Sequence, residues 1–164
     1  MAAGEIVTWL NADDYYEPNI FESISKCFEN NPTASIVYGK CKTVHKDKIE
    51  INIPPSSITE KKLLTLGNLI FQPSSFYRKK YIAKNIINEK LFFWMEYDLF
   101  VKLLKFGPAV FLEEILANFT IRDDQKTNVR NRQKMAKEIY NLSIAHGGKK
   151  YSRLYTKYLF SKLF

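Results

Sequence analysis

The sequence predicts an α/β fold with a basic helical extension at its C-terminal end, and three observations carry that prediction. Strand-length apolar runs alternate with segments of helical period as far as residue 121. Gly, Pro, Asn and Asp punctuate the alternation. Beyond residue 124 the chain turns polar and basic and keeps a helical pattern. The predicted division is therefore a domain over 1–124 and an extension over 125–164.

The elements follow in order. EIVTWL, Glu5 to Leu10, reads as a buried parallel strand whose carboxyl end carries the acidic loop Asn11-Ala12-Asp13-Asp14. Pro18 opens a helix with Ile20, Phe21, Ile24, Cys27 and Phe28 on one face, ended by Asn30-Asn31-Pro32. Ser35 to Tyr38, Cys41 to His45 and Ile49 to Ile53 read as short strands, broken by Gly39 and by a turn over Lys46-Asp47-Lys48. A helix is expected over Thr59 to Leu66, followed by a bent, exposed crossing at Gln72-Pro73. Met95 to Phe106 has helical period and is stopped by Gly107-Pro108. Ala109 to Leu112 and Ile115 to Ile121 read as two strands. A helix from about Val129 to Ala145, a Gly147-Gly148 break and a last helix from about Lys149 complete the pattern.

Composition narrows the function classes. At 46% hydrophobic and 15% aromatic residues the chain is too apolar to be disordered. Its apolar runs fall short of the roughly 18 residues that span a bilayer, and its start has no export-signal pattern, which points to the cytoplasm. Cys27 and Cys41 lack metal-ligand spacing and read as free thiols in a reducing compartment. The formal charge is +8 overall, and residues 125–164 alone hold ten Lys or Arg against the single acid Glu138, which leaves the first 124 residues at −1. Any electrostatic partner belongs to the extension.

The order of TWLNADDYYEP, IVYGK, GNLIFQPSSFYRK, FFWMEYDLFVKLLKFG and LANFTIRDDQKT resembles the second half of inverting family-2 glycosyltransferases with the GT-A fold, over about residues 2–127. The resemblance implies a partial GT-A, nucleotide-diphospho-sugar-transferase-like three-layer sandwich. Met1-Ala2-Ala3-Gly4 aligns with an interior segment of that family, so the N-terminal nucleotide-binding part is expected to be missing. The implied activity is transfer of a sugar from a nucleotide-sugar donor to a saccharide or lipid-linked glycan acceptor, with inversion. The alternative is a catalytically inactive remnant that acts as a binding or interaction module.

The same resemblance assigns roles. Asp13, in the place of an acidic D-x-D element, is the expected ligand of Mn²⁺ or Mg²⁺, hard cations suited to carboxylate and phosphate oxygens. Asn11 would contact a sugar or ribose, and Asp14 would assist or cap the following helix. Taken alone, Asn-Ala-Asp-Asp is an ordinary helix N-terminal loop. Glu96 falls where the family's catalytic base sits and would take the acceptor's proton, while Asp98 would bond backbone N–H groups at the helix start. Gln72, Ser74 and Ser75 match a cleft-lining loop, although these residue types also serve plain turns. Arg122 stands where the family often has an Arg-x-His element. A guanidinium cannot ligate a cation but can clamp a diphosphate.

In the extension, Tyr151, Leu154, Tyr155, Tyr158, Leu159 and Leu163 fall at helical spacing among Lys149, Lys150, Arg153, Lys157 and Lys162. Such a helix either packs its stripe on the domain or lies on an anionic leaflet as a peripheral membrane contact. It carries no recognised nucleic-acid motif, so no nucleic-acid partner is expected.

Overall fold

The computed structural model describes residues 3–46, 48–82, 86–122 and 129–162. The division at 124/125, Asp47 of the Lys46–Lys48 turn, and Leu163 lie outside the described residues. The elements are β1 (Ile6–Val7), β2 (Tyr15–Tyr16), α1 (Ile20–Asn30), β3 (Ile36–His45), β4 (Lys48–Asn52), α2 (Glu60–Leu66), β5 (Ser75–Arg78), α3 (Met95–Leu103), β6 (Ala109–Thr120), α4 (Arg132–Ala145) and α5 (Arg153–Phe160). Among these residues the strands form one sheet in the order β1-β5-β3-β6-β2, with β4 continuing the β5 side of β3. Only β3 and β6 run parallel; β1–β5, β3–β5, β3–β4 and β2–β6 are antiparallel.

Alternation along the central strands divides the core into two layers. Val37 and Phe76 point to one face, where Ile20, Ile24 and Phe28 of α1 cover them. Ile36, Tyr38 and Tyr77 point to the other, against Leu63 of α2, Leu99, Phe100 and Leu103 of α3, Ile139 and Leu142 of α4, and Leu154 of α5. Helices on both faces of one sheet make the three-layer sandwich. Of the extension's expected apolar stripe only Leu154, among the described residues, is packed into the principal core, while Tyr151 and Leu159 are exposed. Thr59 and Ser152 cap α2 and α5 through their side chains.

Several local expectations are corrected. The run Glu5 to Leu10 contributes only a two-residue strand, Ile6–Val7, and it pairs antiparallel with β5 rather than parallel. Gly39 does not break a strand: it sits inside β3, where an added Cβ would lie 2.6 Å from the Leu116 side chain. That missing Cβ makes room for irregular pairing, since Gly39 faces Leu112 while Lys40 faces Ile115 and Cys41 faces Ala117. Glu113 and Glu114 are bulged out to solvent, so the two strands expected over 109–121 are one strand with an interruption. The crossing at Gln72-Pro73 is bent, a single 3₁₀ turn over Gln72–Ser74, but Pro73 to Tyr77 are buried. Phe21 and Phe106, placed on apolar stripes by periodicity, are exposed.

Candidate active site

The acidic loop is built by hydrogen bonds to three other segments. Asp14 N–H donates to the Asn11 carbonyl at 3.2 Å and closes the turn. The Asn11 amide donates to Asp14 Oδ2 at 3.1 Å and to Gln72 Oε1 at 3.2 Å, while the Trp9 indole donates to Asn11 Oδ1 at 3.1 Å. Gln72 in turn donates its amide to the Trp9 carbonyl. On the far side, Thr120 N–H donates to Asp14 Oδ1 at 3.0 Å and the Thr120 hydroxyl donates to the Asp13 carbonyl at 2.5 Å. The loop is therefore stapled to the end of β6, two residues before Arg122, which is exposed.

These bonds assign Asp13 and Asp14 different tasks. Asp14 is 6% exposed and both its oxygens accept hydrogen bonds, which makes it the loop's internal anchor rather than a cap of α1. Burial pushes its carboxyl above the usual range, against the Thr120 and Asn11 hydrogen bonds that favour the charge, and the neighbouring Asp13 adds to the rise. The Asp13 carboxylate is half-buried and has no hydrogen-bond partner among the described residues. No three His, Cys, Asp or Glu side chains among the described residues come together as a metal cluster. A Mg²⁺-type site needs only one or two carboxylates when phosphate oxygens complete it. The single open carboxylate of Asp13 fits that kind of site and no closed one.

A chain of hydroxyls runs from the Gln72 segment, bonded to this loop, as far as Tyr77. Thr8 Oγ1 meets the Tyr16 hydroxyl at 3.0 Å and donates to the Ser75 carbonyl at 2.9 Å. Ser75 Oγ lies 2.6 Å from both the Gln72 carbonyl and the Tyr77 hydroxyl. Burial drives the Tyr77 hydroxyl to a very high proton affinity, opposed by Ser75, and the charges of Glu96 and Tyr16 act on it in the same upward direction. Tyr16 is raised by burial and feels Asp14 in its turn. Ser75 and Gln72 thus belong to the network that joins the acidic loop to Tyr77, on which the charge of Glu96 acts. Ser74 does not: its hydroxyl is turned into the sheet, toward the Gly39 and Phe71 carbonyls at 3.1 Å each.

Glu96 sits in the first turn of α3, which begins after Trp94. Its carboxyl is pushed up to about 7, first by burial, against a hydrogen bond from its own N–H, with the charge of Glu138 adding to the rise. Glu138, on α4, accepts from the N–H groups of Phe93 at 2.8 Å, Trp94 at 2.9 Å and Phe92 at 3.3 Å. An acid from the basic extension therefore holds the segment that leads into the helix carrying Glu96. Sequence alone assigns Glu138 no role; its isolation among cations is the one signal that could have singled it out.

Asp98 faces away from this site. It is 3% exposed, with Oδ1 at 2.7 Å from His146 Nε2 and Oδ2 at 2.5 Å from Lys102 Nζ, the latter an ion pair rather than a well-directed hydrogen bond. Its partners are side chains on α3 and just past α4, not the helix-start N–H groups expected of it. Cys41 is buried, and burial pushes its thiol up to about 12, so it stays neutral beside the loop.

No protein-family model matches the sequence. The chain is 31% identical over 133 residues to a Rickettsia felis protein named an uncharacterized glycosyltransferase, covering 74% of this chain and 22% of that protein. It is 28% identical over 134 residues to the chondroitin synthase of Pasteurella multocida, covering 79% of this chain and 14% of the synthase. The crystal structure of S. aureus TarS shares the fold with a TM-score of 0.56 at 16% identity, over 99% of this chain and 29% of that one. The fold is a partial GT-A-like α/β sandwich, and over about three quarters of its length the chain is similar to proteins named glycosyltransferases. It spans about a fifth of the Rickettsia relative's length and less of the synthase's. Among the described residues no helix is long and apolar enough to cross a membrane.

Proposed function

We propose that the chain carries the acceptor-activating part of an inverting sugar transfer from a nucleotide-diphosphate donor to a saccharide acceptor. Glu96 takes the proton of an acceptor hydroxyl as its oxygen forms a bond to the anomeric carbon. The bond from that carbon to the diphosphate breaks on the opposite face, and the diphosphate leaves toward Arg122 and Asp13. Asp13 would hold a Mn²⁺ or Mg²⁺ ion, which supplies charge neutralisation for the leaving group when bound. Asn11 and Gln72, locked to each other, hold the loop that carries Asp13.

The observation that carries this reading is Glu96 itself, a half-buried carboxyl whose proton affinity lies near 7 and whose charge reaches the Tyr77–Ser75–Gln72 network leading to the acidic loop. A general base works best with its pKa near the operating pH. The two named relatives support a sugar donor and acceptor in general, and the synthase supports a saccharide acceptor.

The test is release of nucleoside diphosphate by the chain with Mn²⁺, a panel of nucleotide-diphosphate sugars and oligosaccharide acceptors. Turnover should rise with pH through about 7, and Glu96→Gln should lower kcat by about 10²-fold or more. Asp13→Ala should remove the binding of Mn²⁺ in the presence of nucleoside diphosphate, read by electron paramagnetic resonance without turnover. Turnover insensitive to Glu96→Gln would overturn the base. Absence of turnover at every protein concentration would return the chain to the inactive binding module.

A further inference from the structure

The side of the molecule behind α3 holds an open cavity of about 720 Å³ between α2, α4 and α5. Its walls are apolar: Leu66, Trp94, Met135, Ile139, Leu154 and Phe160. Gly67, at φ 95°, ends α2 there, and a side chain in its place would press on Leu154 and Ile139 at 3.0 and 3.2 Å. The rim is cationic. Arg132 and Arg153 are exposed, and neither meets a carboxylate among the described residues. Lys157 reaches the Leu66 carbonyl at 3.3 Å. Glu138, the one acid in residues 125–164, is turned away to the N–H groups of 92–94.

We infer that this cavity binds a single-chain amphiphile with a phosphate headgroup, an alkyl or prenyl phosphate, its chain between the apolar walls and its phosphate on Arg132 and Arg153. The volume lies within the roughly 300–1,000 Å³ of sites that enclose one small molecule. A concave apolar wall takes a single chain: Ile139 and Leu154 on it are buried, and Phe160 is exposed. Contact with a bilayer surface, which uses an exposed apolar stripe, is the outcome the vesicle arm of the test reads. Two guanidinium groups without carboxylate partners match phosphate oxygens better than they match a neutral sugar head. Trp94 ties the cavity to the candidate active site: it forms part of the wall, donates its indole N–H to the Met135 carbonyl at 2.8 Å, and immediately precedes the helix that bears Glu96. That the amphiphile carries the acceptor sugar rests on the proposed function; the binding does not.

The test is calorimetric titration of the chain with octyl, decyl and dodecyl phosphate, each below its aggregation concentration, with dodecyl maltoside and inorganic phosphate alongside. One-to-one binding of the alkyl phosphates is expected, tighter by about threefold to fourfold per added methylene. Ala136→Phe should fill the cavity and abolish it. The surface pair Arg132→Ala and Arg153→Ala should weaken it about tenfold or more, with circular dichroism confirming that each variant is folded. Equal affinity for the maltoside, binding that survives both the Phe and the double Ala changes, or adsorption to phosphatidylglycerol vesicles without binding of monomeric alkyl phosphate would overturn the inference. The titration involves no turnover, so its failure leaves the Glu96 test standing.

Discussion

Replacing Glu96 with Gln isolates the pH dependence of one half-buried group. The folded chain holds the Glu96 proton with a pKa of about 7, against an ordinary 4.5. Because the folded state binds that proton more tightly than the unfolded state, the stability it contributes is full below pH 4.5 and is lost as pH rises through about 7. At about 1.4 kcal/mol per pH unit, a gap of roughly 2.5 units means that ionising Glu96 costs the fold roughly 3 kcal/mol by pH 8. Gln has the shape of the protonated acid and cannot ionise. Wild type and Glu96→Gln should therefore have similar unfolding free energies near pH 4, with the variant pulling ahead to roughly 3 kcal/mol at pH 8. Asp14 shifts in the same sense and Glu17, held by Lys42 and Asn118, in the opposite one, but both titrate in both chains and cancel in the difference. The assay is urea unfolding at half-unit steps from pH 4 to 8 at constant ionic strength. A difference that stays flat across that range refutes the raised proton affinity, and the assignment of Glu96 as a base falls with it.

Further outcomes follow from the neighbours. Glu138→Ala leaves the N–H groups of Phe93 and Trp94 without their acceptor, so it should cost about 2 kcal/mol in urea unfolding. By removing a like charge it should also move the Glu96 titration below about 7, seen by repeating the pH series in that background. Asp98→Ala strands His146 and Lys102 and should cost about 3 kcal/mol while Mn²⁺–nucleotide binding stays at the wild-type level; lost binding with unchanged stability would put Asp98 in the site after all. Gly107→Ala would place a Cβ 2.0 Å from the Thr33 carbonyl oxygen, where backbone must move, so a loss of about 1–3 kcal/mol is expected from thermal or urea unfolding, and a neutral result would show that the turn before β6 yields freely.

What the sequence made legible was whatever local chemistry decides. α1, α2 and α3 carry their own periodicity and stop signals, and each forms close to its expected place. Pairing is not local. The partner of β1 lies some seventy residues along the chain, and nothing in EIVTWL says whether that partner runs parallel or antiparallel. Glu113 and Glu114 look like a break because acids rarely sit inside a strand. The pairing absorbs them as a bulge, and the space needed for Leu116 comes from Gly39 on the neighbouring strand.

The site divides along the same line. Asn11, Asp13, Asp14, Gln72, Ser75 and Glu96 were legible together through the order of motifs that resembles a known family; their residue types alone serve equally as a helix N-terminal loop and plain turns. The side chains that join them, Tyr16, Thr8 and Tyr77, were not, since a hydroxyl on a strand looks like any other until its partner arrives. Glu138 makes the point most sharply. By composition it belongs to a basic appendage, yet its carboxylate holds the segment that leads into α3 and its charge bears on Glu96. The extension therefore adds to a proton affinity that burial raises first, so shortening the chain at residue 128 should alter the titration of Glu96 as well as stability. A truncated chain that stays folded and titrates Glu96 unchanged would separate the two.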